Sequence, residues 1–225
     1  MQRHFDAELA NLKRRLLHMS ALAETMIAEA LEVLVNRREE FIPLVRQREE
    51  EVNALQRELD EACLEMIALH QPTAGDLRFI LGVAKTNADL ERLADQAVNI
   101  LNKAERLLHQ PPLQPFAILS EMADIARGML KDSLHAFVNR DVAQARAVLQ
   151  RDDELDARKS RITVELATYM TRDPSTVSRA LDLVLVARNL ERIGDHATNI
   201  AENTIFVVEG RDVRHHAEAD TAPTG

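Results

Sequence analysis

The chain has no tryptophan, one tyrosine and one cysteine, and it holds only six glycines and seven prolines in 225 residues. Cys63 has no second cysteine with which to form an internal disulfide, and a lone thiol is typical of a reducing cytoplasm. Aromatic residues make up 3% of the chain and hydrophobic residues 46%, so the core must consist of Leu, Ile, Val, Ala and Met. Such a core suits packed helices, and the shortage of turn residues predicts long elements joined by few loops.

The sequence lacks the residues that several functional classes need. The formal net charge of −9 argues against nucleic acid as the main partner, because phosphate binding requires a surplus of Lys and Arg. The sequence has no P-loop, no Gly-x-Gly-x-x-Gly and no His-Glu-x-x-His. None of the eight His follows a Glu at the Glu-x-x-His spacing of ferritin-like di-iron sites, which disfavours a carboxylate-bridged oxidase.

No segment of the sequence reads as a membrane or export signal. The first residues, MQRHFDAELANLKRR, contain no apolar region of the kind found in signal peptides. No apolar stretch approaches the roughly 20 residues that a membrane-spanning helix needs. The sequence therefore predicts a cytoplasmic protein that reaches a membrane only through a partner.

One sequence pattern occurs twice. Residues 89–100 read DLERLADQAVNI and residues 189–200 read NLERIGDHATNI, a spacing of 100 residues. Each copy holds Leu-Glu-Arg, an acid four residues after the Glu, and then Asn-Ile. A duplicated acidic pair predicts two equivalent sites.

The repeat extends well beyond this pattern. Val35-Asn36-Arg37 returns as Val138-Asn139-Arg140, a spacing of 103 residues. The stretch QREEEV at residues 47–52 returns at the same spacing as QRDDEL at residues 150–155. Two tandem copies of one unit of about 100 residues are therefore predicted.

Each half reads as three helices, because apolar residues recur at three- and four-residue steps and no alternating strand pattern of useful length is present. The predicted helices span about residues 4–36, 40–70 and 74–108 in the first half and 116–139, 141–171 and 174–209 in the second. The predicted fold is all-α, with two tandem, pseudo-symmetric three-helix bundles at residues 1–109 and 116–210, separated by a proline-rich segment. The polar, aperiodic tail at residues 211–225 is predicted to be disordered.

The repeated acids are Glu91 with Asp95 and Glu191 with Asp195. Residues four apart lie on one face of a helix, where two carboxylates repel each other by roughly a few tenths of a kcal/mol. A bound cation removes that repulsion, and carboxylate oxygens suit Mg²⁺, Ca²⁺, Mn²⁺ or ferric iron and are acceptable to zinc. The alternative interpretation is a solvated face on which the glutamates pair with arginines. The duplication puts the two interpretations on an equal footing.

The second helix of each half adds further acids. Asp152 and Asp156 are again four residues apart, and their first-half counterparts are Glu49 and Asn53. An asparagine can still ligate a metal through its carbonyl oxygen. If the second and third helices are antiparallel neighbours, these acids meet the Glu-Asp pair across the groove between them.

The sequence gives a specific prediction for the environment of each of three residues. Gly194 lies inside a helix at a cost of roughly 1 kcal/mol relative to Ala, the residue at position 94; close helix approach is the usual reason, and access of a ligand to the backbone is the alternative. His196 is expected to point away from Asp195 and to be a surface residue. Cys63 is expected to be buried and inert.

These patterns resemble the PhoU family of bacterial phosphate-signalling regulators. The resemblance rests on QPTAGDLR at residues 71–78 and on the Glu-Arg-x-x-Asp copies at residues 91–95 and 191–195. It runs from Phe5 to about Arg214, and it implies two similar three-helix bundles.

Some members of that family bind multinuclear iron or zinc clusters on Glu/Asp-x-x-x-Asp motifs. Carried over residue by residue, the metal ligands that the resemblance implies are Glu49, Glu91, Asp95, Asp152, Asp156, Glu191 and Asp195. Mg²⁺ or Mn²⁺ would also suit these ligands. Asn53 departs from the acidic pattern and Ala94 replaces the family Gly, so the second-half site is expected to bind metal more tightly.

The resemblance also implies a function without catalysis. Family members link the ATPase of the phosphate-specific ABC transporter to the sensor histidine kinase of the phosphate regulon, and they repress that regulon when phosphate is plentiful. Long amphipathic helices that leave an apolar strip exposed predict a homodimer. The alternatives are a metal-dependent hydrolase of phosphoryl groups, which needs open metal coordination and a base, and a metal-free helical scaffold.

Overall fold

The computed structural model describes residues 2–113 and 116–211, and these residues contain seven α-helices and no β-strand. The helices are α1 (Gln2–Asn36), α2 (Ile42–His70), α3 (Ala74–Leu107), α4 (Phe116–Asn139), α5 (Val142–Leu149), α6 (Asp152–Arg172) and α7 (Val177–Glu209). Short 3-10 turns at Glu39–Phe41 and Pro174–Thr176 precede α2 and α7. The all-α prediction is confirmed. Of the tail that was predicted to be disordered, residues 212–225 lie outside the described residues.

The predicted fifth helix is divided into α5 and α6, and this is a difference from the six expected helices. The break falls at Gln150 and Arg151, whose backbones remain in the right-handed helical region. The Arg151 guanidinium reaches α4, where it pairs with Asp132 at 2.7 Å and donates to the Ile125 carbonyl at 3.4 Å. A Cβ at Gly128 would lie 2.5 Å from this guanidinium, so the glycine leaves room for it.

Equivalent contacts recur in the two halves. In the first half Arg48 on α2 pairs with Glu29 on α1 at 2.7 Å, as Arg151 pairs with Asp132 in the second. The first helix of each half ends at a residue with positive φ, Arg37 at 55° and Arg140 at 57°. The repeated sequence thus produces the same side-chain pairing and the same type of helix end.

Helix boundaries follow from local chemistry. Asp173 accepts a hydrogen bond from the Ser175 amide at 2.9 Å, and Pro174 follows it, as the sequence predicts for a helix start. The start is a 3-10 turn, and α7 proper begins at Val177. Gly210, with φ of 71°, ends α7 in the left-handed conformation that glycine adopts at low cost.

The buried side chains form one continuous cluster that runs through both halves. α3 packs on α1, α2 and α7, while α7 packs on α3, α4, α5 and α6. The two helices that carry the Glu-Arg-x-x-Asp pattern are therefore the central pair. α1 also packs on α4, and the rings of Phe79 and Phe137 stack between the halves with centroids 5.3 Å apart. No helix of the described residues combines the length and apolar character that a bilayer crossing requires.

Candidate metal centre

The acids of the second half form an electrostatically coupled cluster on two packed helices, α6 and α7. The pKa of Asp152 is raised to about 6, first by burial and then by the negative charges of Asp195, Asp156, Asp153 and Glu191. Burial also raises the pKa of Asp195, and Glu191 is the next largest cause. The structure therefore brings together all four second-half residues of the predicted site, and the expected meeting of the second and third helices occurs there.

A lysine that the motif does not include lies beside this cluster. Lys159 Nζ is 2.7 Å from Glu191 Oε1, and this hydrogen bond raises the pKa of the lysine. The ammonium group offsets part of the negative charge of the four acids. Sequence reasoning missed Lys159, although its distance of three residues from Asp156 places it on the same face of α6.

Gly194 explains how the two helices approach so closely. A Cβ at this position would overlap Leu155 Cδ2, and it would lie 3.7 Å from Asp152 Oδ1. The glycine thus lets Leu155 fill the interface and lets the carboxylate of Asp152 lie against the backbone of α7. Close helix approach, the expected reason for this glycine, is confirmed.

The first half has a sparser set of acids. The pKa of Glu91 is raised by burial and next by the charge of Asp95, so this pair is coupled as predicted. Among the described residues, Glu49 has no hydrogen bond and no ion pair, and it is half-buried on α2. The structure does not place it in electrostatic contact with Glu91. The position that corresponds to Lys159 holds Gln56, which is neutral.

The expectation that His196 is a surface residue is wrong. Its side chain is 15% exposed, and Nδ1 lies 3.0 Å from Asp89 Oδ1 on α3. His196 sits one position after Asp195, and the close packing of α3 on α7 places it between the helices, which its own sequence neighbours do not reveal. Cys63, by contrast, is buried as expected, and burial raises its thiol pKa to about 12.

The donor set of the second half fits a hard cation in its chemistry. Carboxylate oxygens are the preferred ligands of such ions, and a cation would remove the repulsion that, after burial, raises the pKa values of Asp152 and Asp195. Within residues 2–113 and 116–211, however, no group of three or more His, Cys, Asp or Glu side chains is arranged so that it could hold a metal ion. Binding would therefore require the carboxylates to rotate and Glu191 to leave Lys159.

The family model for the PhoU domain matches the chain twice, at residues 16–104 and at residues 119–204. The chain belongs to the PhoU family. Each match contains one copy of the Glu-Arg-x-x-Asp pattern, so the acidic pairs lie in equivalent places of two PhoU domains.

Relatives in this family match along nearly the whole chain. The phosphate-specific transport system accessory protein PhoU homolog of Pseudomonas putida is 37% identical over 216 residues, which cover 96% of this chain and 84% of the relative. The protein of the same name from Aquifex aeolicus is 38% identical over 208 residues, which cover 92% of this chain and 94% of the relative.

Two crystal structures of PhoU proteins share the fold. The structure of PhoU from Pseudomonas aeruginosa has a TM-score of 0.88 and 34% sequence identity, and it covers 92% of this chain and 100% of its own. The phosphate transport system regulatory protein PhoU from Streptococcus pneumoniae has a TM-score of 0.86 and 25% identity, covering 93% of this chain and 99% of its own.

Proposed function

We propose that the protein is a negative regulator of the phosphate regulon. In this proposal it acts by contact between the ATPase of the phosphate-specific ABC transporter and the sensor histidine kinase, and it modulates phosphate uptake. The observation that carries the proposal is the match to PhoU proteins over nearly the whole chain, since these relatives are named as accessory proteins of the phosphate-specific transport system. The protein works in the cytoplasm, and its contact with the membrane is indirect.

A reporter experiment tests this regulation. In a strain that lacks the gene, a phosphate-starvation promoter fused to a reporter should be active in phosphate-rich medium, and the plasmid-borne wild-type gene should restore repression. An empty plasmid is the matched control. Unchanged repression in the deletion strain, with other genes for PhoU domains also removed, would refute the proposal.

The acidic cluster of α6 and α7 is proposed to bind a metal ion, with iron or zinc, Mg²⁺ or Mn²⁺ as candidates. The coupled carboxylates of Asp152 and Asp195 support this, because a cation would stabilise them. We expect Asp152→Asn with Asp195→Asn to abolish tight binding in calorimetric titrations, while Glu91→Gln with Asp95→Asn leaves it in place.

Lys159→Met provides the complementary test of the metal proposal. This change removes the ammonium group that competes with a cation for Glu191, so metal affinity should increase several-fold. Elemental analysis of untagged protein measures how many metal ions each chain holds. If Lys159→Met weakened binding, or if no added metal bound to the wild-type protein, the metal assignment would be wrong.

The alternative function is a metal-dependent hydrolase of phosphoryl groups. The pKa of about 6 at Asp152 is close to the value that a general base needs near neutral pH. Purified protein with each candidate metal should then hydrolyse a phosphomonoester, and Asp152→Asn should abolish this turnover. We expect no metal-dependent turnover, in keeping with a regulatory adaptor.

The adaptor is further proposed to be a homodimer. Val177, Leu181 and Leu185 are large apolar side chains that remain exposed on α7 at four-residue steps, and such a strip is suited to a protein partner. Sedimentation equilibrium should give twice the chain mass, and Leu181→Lys should shift the protein toward the monomer. A wild-type chain that stays monomeric at all concentrations would contradict this.

A further inference from the structure

A polar cleft of about 270 Å³ lies between α3 and α7, and the regulatory proposal leaves it without a role. Its polar and aromatic lining comes from Lys85, Asp89 and Arg92 on α3 and from Asn199, Asn203 and Phe206 on α7. We call it the α3–α7 cleft. It lies where the two halves of the molecule meet, and none of the seven predicted metal ligands lines it.

Two cationic side chains of the cleft are available to a ligand. Lys85 and Arg92 are exposed, and neither forms an ion pair with any residue that the structure describes. Lys85 Nζ lies 4.9 Å from the centroid of the Phe206 ring, so the ring helps to hold the ammonium group at the cleft. Both cations can therefore donate to a negatively charged oxygen.

Two acceptors of the cleft have no donor among the described residues. Asp89 Oδ1 accepts from His196 Nδ1 at 3.0 Å and from Asn199 Nδ2 at 3.3 Å, which leaves Oδ2 without a donor. Asn203 Nδ2 donates to the Gly82 carbonyl at 2.8 Å and to Thr86 Oγ1 at 3.0 Å. Asn203 Oδ1 is buried and receives no hydrogen bond. Buried acceptors of this kind are rarely left without a donor.

The combination of free cations and free acceptors specifies the chemistry of a ligand. Negative oxygens would pair with Lys85 and Arg92, and a hydroxyl would donate to Asp89 Oδ2. Sulfate carries the charge without the hydroxyl, so it would face the Asp89 carboxylate with no hydrogen between them. Hydrogenphosphate carries both groups in one small ion.

We propose that the α3–α7 cleft binds a small protonated oxyanion, with hydrogenphosphate as its representative. Lys85 and Arg92 bind the charged oxygens, and Asp89 accepts the hydrogen bond from the P–OH group. Asn203 lines the cleft beside the ligand. This proposal concerns binding by the isolated chain and does not rest on the proposed regulatory function.

The sequence repeat gives the α3–α7 cleft an equivalent position in which α3 and α7 exchange roles, and this position provides an internal comparison. There, Leu185 and Asn189 replace Lys85 and Asp89, so the lysine and the free carboxylate are missing, while Arg188 in place of Ala88 adds a cation at another point. Lys103 replaces Asn203 and is within 3.9 Å of Asp182, so its charge already has a partner. Arg92 and Arg192 correspond to each other, which makes Arg192→Gln a control of identical chemistry outside the cleft.

The test is calorimetric titration of the full-length chain with sodium phosphate and with sodium sulfate, at pH 7.5 and equal ionic strength. EDTA is present so that neither anion can bind through a metal ion. We expect saturable binding of phosphate and sulfate affinity lower by about tenfold or more. Arg92→Gln should weaken phosphate binding about fivefold or more, and Arg192→Gln should change it less than about twofold.

Asp89→Asn tests the selectivity itself. The amide that replaces the carboxylate would keep an acceptor for His196 and would offer an N–H to the anion. The phosphate-to-sulfate affinity ratio should therefore fall to near one, with thermal unfolding used to verify that this variant is folded. The proposal would be overturned if the wild-type chain bound the two anions with equal affinity or did not bind phosphate. It would also be overturned if Arg92→Gln and Arg192→Gln weakened phosphate binding equally. Each of these results is independent of the reporter experiment.

Discussion

At the scale of single residues, Asp152 combines partial burial with the charges of four neighbouring acids, and its pKa is raised to about 6 from an ordinary value of 3.8. Between these two values the folded protein holds a proton that the unfolded chain has already lost. Folding is therefore favoured at the lower end of this range, and stability falls as the pH rises toward 6. The raised pKa values of Asp195 and Glu91 act in the same direction.

We predict that Asp152→Asn stabilises the protein at pH 7 but not at pH 4, because the neutral amide does not repel its neighbours. The gain at pH 7 should be about 1 kcal/mol, well below the full linkage value, since solvent screens a half-exposed carboxylate. Urea unfolding at both pH values in EDTA measures it. Asp124→Asn, at an exposed position outside the cluster, is the control, and a gain that did not depend on pH would contradict the prediction.

At the scale of helices, the packing of α6 on α7 depends on the sizes of two residues that contact each other. Gly194 on α7 accommodates Leu155 on α6, and at the corresponding positions of the first half the chain has Ala94 and Val52. The second half thus combines the smaller Gly194 with the larger Leu155, and the first half combines the larger Ala94 with the smaller Val52. The difference between Gly194 and Ala94 is therefore a compensated change in packing.

Gly194→Ala should destabilise the protein. Overpacking against Leu155 costs about 1–3 kcal/mol, and the better helix propensity of alanine returns about 1 kcal/mol, which leaves a net loss of about 1 kcal/mol. Adding Leu155→Val should recover most of this loss, because it reproduces the combination of the first half. Thermal unfolding of the single and double variants is the measurement. An additive further loss in the double variant would show that the two sizes are not coupled.

At the scale of the whole molecule, the two repeats share one hydrophobic cluster. Phe79 stacks on Phe137 between the halves, and Asn203 on α7 hydrogen-bonds to α3. The segment between the repeats is also tied down, because Arg37 donates to the carbonyls of Leu108 and Gln110, and Arg179 donates to that of Pro111 at 2.7 Å. Neither half can unfold without exposing apolar surface of the other.

The shared core predicts one cooperative unfolding transition for both halves. The chain contains its own probes, since Tyr169 on α6 is the only tyrosine and buried Cys63 on α2 is the only cysteine. Tyrosine fluorescence and thiol reactivity with a disulfide reagent should give the same urea midpoint. Midpoints that differ would indicate that the halves unfold as separate domains.

Much of the fold could be predicted from the sequence because helical periodicity and repeats are local signals. The helix ends at Asn36, His70 and Asn139 agree with the prediction to the residue. The break before Asp152 could not be predicted, since it accompanies a contact of Arg151 with the distant helix α4. The convergence of the second-half acids was expected on the condition that the second and third helices are neighbours, and the packing of α6 on α7 meets that condition, whereas the separation of Glu49 from Glu91 was not expected.

By itself, the sequence determined the all-α class, the duplicated unit, the membership in the PhoU family and the acidic face of each motif helix. These properties depend on residue types and on spacings of three and four, which act within one helix. Only the tertiary structure decided that Lys159 neutralises Glu191, that His196 binds Asp89 and that the α3–α7 cleft combines free cations with free acceptors. The reason is physical, because each of these pairs joins different helices, and the packing of the shared core sets their separation.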